Sequence, residues 1–240
     1  MICKLCDQTK ALIKAHCIPK AFFVTLKDDV KEPLLIVKKG DKHTKRSQIG
    51  VYDKKILCSE CEKVFQEWDD YGQKILIKER GKAQKLMVGS FPVLKFENVD
   101  YAKLKMFVIS VFWRAGISNE PYYEKITLGP FEQKLRNMIK NADPGEPEDF
   151  SFLLFCLKET NPKVAVSPQF AVYDRVNYVV FFLDKYILRI KSDSRSSPRC
   201  FQHLTFQPGD DLYVPQRDLF REINKKEVVK MVKSTTGQGL

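Results

Sequence analysis

The chain has 240 residues, of which 44% are hydrophobic and 12% aromatic, and a formal net charge of +11. This is enough apolar material for one large domain, or for a small module and a larger one, and it excludes a chain disordered by composition. The basic charge is spread along the sequence, so it favours polyanions through counterion release without marking a face.

No apolar run reaches the roughly 18 residues that would signal a membrane span. The richest stretch, Leu104 to Trp113, is short and is followed by Arg114. Cys3, Lys4, Cys6 and Asp7 stand where the apolar segment of a signal peptide would begin. The expected setting is cytoplasmic and away from membranes. Thiols stay reduced there, and Cys-x-x-Cys pairs read as metal or redox sites rather than disulfides.

In chain order, a loop from residue 7 leads into a short helix around "PKAFFVTL", with Pro19 at or near its first turn. "PLLIVKKG" and "SQIGVYD" are β-like and flank a charged tip, which predicts a hairpin. The tip holds the densest basic cluster: Lys38, Lys39, Lys42, Lys45 and Arg46 are candidate phosphate contacts, or simply a solvated hairpin end. Val64, Phe65, Trp68, Tyr71, Ile75 and Leu76 recur near helical spacing, so a helix begins at Ser59 or Glu60, with Gly72 a weak point inside it.

A buried helix is predicted over "DYAKLKMFVISVFWRAGI", capped by Asp100 and stopped by Gly116. Another runs from Pro130 to about Asn141, ended by "DPGEP". "QFAVYD", "NYVVFFL" and "KYILRI" are aromatic and β-branched with turn residues between them, the pattern of an antiparallel meander. Its aromatics read as core rather than as a base-stacking face. A charged amphipathic helix is expected from Pro215 to Lys233. The fold class is therefore α+β: a small N-terminal zinc module, residues 1–90, and a mixed helical and antiparallel-β domain, residues 91–240, that supplies specificity or binds a partner.

Two Cys-x-x-Cys pairs, Cys3/Cys6 and Cys58/Cys61, carry the strongest signal. Zinc takes four soft ligands in a tetrahedron, and each pair offers two thiolates from one tight turn. The first lies on a turn near the N-terminus. The second lies where a strand runs into a helix, whose N-terminus favours thiolates. Knuckle, hairpin, helix is the layout of a treble-clef zinc module. A redox role lacks the surrounding βαβ context. Cys17 has no partner at clip spacing, and Cys156 sits in an apolar run as a core thiol.

The order "CKLC", "HCIPK", "LCSEC" resembles the zinc-bearing branch of the HNH (ββα-metal) endonucleases, over about residues 1–72. The resemblance implies a treble-clef scaffold that sets a histidine beside Mg²⁺ or Mn²⁺ for phosphodiester hydrolysis. It implies His16 as general base, Asp53 near the orienting position, and Glu62 at the closing metal position. Ala15 stands where the family carries a ligand, and Glu62 where it carries a histidine. Expected partners are nucleic acid, DNA ahead of RNA, or a protein partner if the module is a catalytically inactive adaptor. Arg114 and Arg136 read as paired structural arginines.

Overall fold

The computed structural model describes residues 1–26, 34–37, 45–47, 50–158 and 165–218. Lys38, Lys39 and Lys42 lie outside these residues. Only the strand backbone is described for Lys45 and Arg46.

Helix and strand are mixed throughout. Strand β1 (Ala15–His16) pairs antiparallel with β4 (Tyr52–Asp53), setting Ala15 opposite Asp53 and His16 opposite Tyr52. Helix α1 (Ala21–Val24) follows Pro19 and buries Phe22 and Phe23. Strand β2 (Leu34–Val37) pairs antiparallel with β3 (Lys45–Ser47), which shares only Ser47 with the expected second strand, whose Tyr52–Asp53 pair with β1 instead.

The helix after Cys58 comes in two pieces, α2 (Ser59–Val64) and α3 (Gln66–Gln73), and runs on into a π-helical turn, Lys74–Lys78. Gly72 is no weak point. A Cβ there would stand 2.7 Å from the Phe107 ring, so the missing side chain lets α3 close onto the next long helix. That helix is α4 (Tyr101–Ile117), and the Asp100 carboxylate caps it by accepting from the Lys103 amide at 3.0 Å. Its residues from Leu104 to Ala115 are all buried, so it is the central rod of the core. Helix α5 (Glu132–Asn141) ends at Ala142, which takes the left-handed conformation that closes a helix.

A seven-stranded sheet holds the rest. Its order is β5 (Gln84–Val88), β6 (Phe91–Phe96), β12 (Leu212–Arg217), β7 (Phe152–Leu157), β11 (Tyr186–Lys191), β10 (Val176–Leu183) and β9 (Gln169–Tyr173). Every neighbouring pair is antiparallel except β12 with β7. The meander β9–β10–β11 is as expected, and Tyr178, Phe181 and Tyr186 within it are buried. All six residues of β7 are buried because both sheet faces are covered. Phe152, Leu154 and Cys156 join the helix-packed core, while Leu153, Phe155 and Leu157 join a second cluster with Phe201 of the short helix α6 (Arg199–Gln202). Strand β8 (Ala165–Val166) pairs with β2 in a separate three-stranded sheet.

The expected C-terminal helix is corrected at its start: Pro215–Arg217 belong to β12, and residues beyond 218 lie outside those described. The expected boundary between residues 90 and 91 falls in the turn joining β5 to β6. The main apolar cluster includes Leu5, Phe22 and Phe65 together with Phe107, Trp113 and Leu188. No helix among the described residues is long and apolar enough to cross a membrane.

Candidate metal centre and the adjoining cleft

The first clip is a tight turn. The Asp7 amide donates to the Cys3 carbonyl at 2.9 Å, and Asp7 has a positive φ of 58°, which aspartate tolerates better than most residues. The segment after the turn then docks on the second clip. The Lys4 amide donates to the Ile56 carbonyl at 2.8 Å, and the Ile13 amide to the Leu57 carbonyl at 2.9 Å. Cys58 is the N-cap of α2, and its own amide points at the Cys3 sulfur, 3.4 Å away.

These contacts bring Cys3, Cys6, Cys58 and Cys61 together, with all four sulfurs within 4.8 Å of one another. A zinc–thiolate tetrahedron has edges of about 3.8 Å, so the cluster is compatible with a bound metal after small rotamer changes. Burial works against the Cys3 thiolate, but the amides of Cys6, Cys58 and Leu5 outweigh it and draw its pKa down to about 6. Burial and the neighbouring sulfurs push Cys61 up, and burial foremost raises Cys58. Four thiolates this close repel one another, and a divalent cation removes that obstacle. Cys17 is apart from the cluster: its buried thiol donates to the Arg114 carbonyl at 3.3 Å, and burial raises it to about 12.

Beside the cluster lies a cleft of about 290 Å³, lined by His16, Pro19, Lys20, Glu62, Lys63, Gln66, Asp69, Asp70 and Gln73. It therefore brings His16 and Glu62 to one place. His16 is half-buried, with its ring 5.8 Å from that of Tyr52. One oxygen of Glu62 is buried with no hydrogen-bond donor, and burial pushes this carboxyl up against the pull of Arg114.

Asp53 is elsewhere. Its carboxylate is buried and accepts from the Lys55 amide at 2.7 Å, the Asn119 amide at 2.7 Å and the Ser118 hydroxyl at 3.0 Å. It ties β4 to the end of α4 and does not line the cleft.

The cleft floor is built on Arg114, which is fully buried. Its guanidinium donates to both Asp69 oxygens at 2.6 and 2.8 Å, to the His16 carbonyl at 2.9 Å, and to the hydroxyl and carbonyl of Ser110 at 3.1 and 3.2 Å. All five N–H groups are thereby used. It also lies over the Phe65 ring at 4.7 Å. Burial pushes the Asp69 carboxyl up, and the guanidinium fork of Arg114 opposes this. Arg136 is likewise paired: it donates to the Leu5 carbonyl at 2.8 and 3.1 Å and forms an ion pair with Asp7, which fastens α5 to the first clip.

Sequence reasoning missed Asp69, Asp70, Gln66 and Gln73 as cleft residues. They follow Glu62 at helical spacing, a polar stripe opposite the apolar face that had been read. Among the described residues, no second group of three or more His, Cys, Asp or Glu side chains converges as the four thiols do. In comparison with known proteins, the chain matches no family model, no curated protein and no solved structure.

Proposed function

We propose that the chain is a zinc-stabilised, HNH-like hydrolase of phosphodiester bonds in nucleic acid. Its four cysteines hold zinc in a treble-clef arrangement, and His16 and Glu62 work in the cleft beside it. One observation carries this reading: the cleft lined by His16 is also lined by Glu62, one of whose carboxylate oxygens is buried without a donor. A buried acceptor of that kind is costly unless a proton or a cation satisfies it.

In this reading His16 accepts the proton of a water whose oxygen attacks phosphorus. Lys20 and Lys63, at the cleft wall, attract the phosphates. Glu62, with Asp70 also lining the cleft, would hold a divalent ion. When bound, Mg²⁺ or Mn²⁺ supplies charge stabilisation to the phosphorane and the departing oxygen. Asp69 is committed to Arg114 and supports the wall rather than the ion.

A second reading is the non-enzymatic adaptor. It is favoured by the lack of a three-ligand cluster around His16 among the described residues. Plasmid and single-strand cleavage, with and without Mn²⁺, separates the two. The hydrolase should nick, and His16→Ala should lose about 10²-fold or more in rate while keeping fold and zinc. Glu62→Ala should lose activity in a way that excess Mn²⁺ partly restores. A parent that cuts no DNA or RNA with any divalent ion leaves the adaptor.

A further inference from the structure

Hairpin β5–β6 forms one edge of the seven-stranded sheet, and its tip is apolar and uncovered. The turn is Gly89–Ser90, with Val88 paired to Phe91 and Met87 to Pro92. Met87, Val88 and Phe91 are 63%, 58% and 62% exposed. Single exposed apolar residues are ordinary, but three on one tight turn mark a contact surface.

The approach to this tip is basic. From Gly81 to Phe96 the chain carries Lys82, Lys85 and Lys95 and no acidic residue. Lys95 is neutralised by Glu97 and Asp211, each at 2.9 Å. Lys78, Lys82 and Lys85 are exposed and have no carboxylate partner among the described residues.

The same helical run connects this hairpin to the cleft. Gln73 lines the cleft, while Ile75 and Glu79 line a second hollow of about 240 Å³ at the hairpin base, with Lys82, Gln84 and Phe96. Asp70 to Glu79 spans roughly 14 Å of helix. The five-residue strand β5 adds roughly 17 Å.

We propose that the β5–β6 tip is a wedge for duplex nucleic acid bound at the cleft. Met87, Val88 and Phe91 enter a base step, and Lys82 and Lys85 hold the adjoining phosphates. The inference rests on the nucleic-acid reading above. A duplex fits this tip better than a lipid surface does. Membrane anchoring grows with buried apolar area, and one two-residue turn offers little. A gap between base pairs needs only a narrow wedge, and the exposed Lys78, Lys82 and Lys85 stand on the segment that joins the cleft-lining helix to the tip.

The test uses the full, zinc-loaded chain and a labelled DNA duplex carrying one fluorescent base analogue that brightens on unstacking. The parent should bind and brighten the probe. The triple variant Met87→Ser, Val88→Ser, Phe91→Ser should lose the brightening and bind about tenfold more weakly, with its salt slope unchanged. Lys82→Ala with Lys85→Ala should brighten the probe at saturation but flatten the salt slope by about two units. These positions are exposed, so circular dichroism should show the parent fold in both variants.

A triple variant that binds and brightens like the parent overturns the wedge and leaves the hydrolase reading intact. So does a loss confined to anionic phosphatidylserine vesicles, or to self-association in gel filtration. A parent that binds no duplex overturns the wedge, and the cleavage assay on plasmid and single strands then decides the hydrolase reading by itself.

Discussion

At the scale of residues, Arg114 has the most to lose. Its five donors each have a partner, in a fork that lysine cannot copy. Arg114→Lys and Asp69→Asn should each lower unfolding free energy by about 3–5 kcal/mol in urea titrations, and the double variant should cost far less than the sum. Lys105 is the opposite case. It is fully buried in α4, bonded to the Tyr101 hydroxyl and the Glu146 and Pro147 carbonyls, and burial lowers its pKa from 10.5 to about 8. Between those two values the unfolded chain binds more protons than the folded one. Stability contributed by this site therefore rises with pH from 8 to 10.5, by at most about 3 kcal/mol. Lys105→Met should remove that rise, measured as the difference between the urea midpoints of parent and variant across the range. The sequence announced the thiols because their chemistry leaves a spacing. It did not announce Asp69 as Arg114's partner, because the two are far apart in the chain and meet only when α3 packs on α4.

Among the elements, the long helices α4 and α5 were legible, while the start of the expected C-terminal helix and two pieces of the sheet were not. Helix α4 declared itself through Asp100 at one end and an unbroken apolar run, and α5 through the glycine–proline stop that follows it. Hairpin β5–β6 went unread because its turn is flanked by Val88 and Phe91, where a binary pattern expects polar residues, and because Pro92 argues against a strand. Strand β12 was hidden by Pro215, which reads as a helix start. That proline stands at the last β12–β6 pair, where β12 leaves β6 and continues beside β7. Gly72 was misread for want of a partner in view. Gly72→Ala improves helix propensity by about 1 kcal/mol, yet it drives a methyl into the Phe107 ring. The net should be a loss of about 1–2 kcal/mol by thermal or urea unfolding, most of it recovered when Phe107→Leu is added.

Over the whole molecule, the thiol cluster and the sheet share one apolar cluster, and Arg114 and Arg136 reach from α4 and α5 to the N-terminal segment. Removing the metal should therefore be felt far from the cysteines. If the four thiols hold zinc as proposed, the site contributes on the order of 10 kcal/mol. Chelation, or Cys58→Ser, should lower the melting temperature of the entire protein rather than add a separate early step, as followed by calorimetry and by near-ultraviolet signals from the buried Trp68 and Trp113. Two well-separated transitions would show that the halves are independent. The place of β12 carries a different consequence, one of timing. The strand that joins β6 to β7 is the last of the seven to be synthesised, so β5–β6 and β7–β11–β10–β9 emerge from the ribosome as two part-sheets with facing open edges. At about 5–20 residues per second, those edges wait roughly 3–12 s after β7 for the strand that closes them. Open strand edges of that kind invite pairing with other chains, so a message truncated just before Leu212 should encode an aggregating protein rather than a shorter working one.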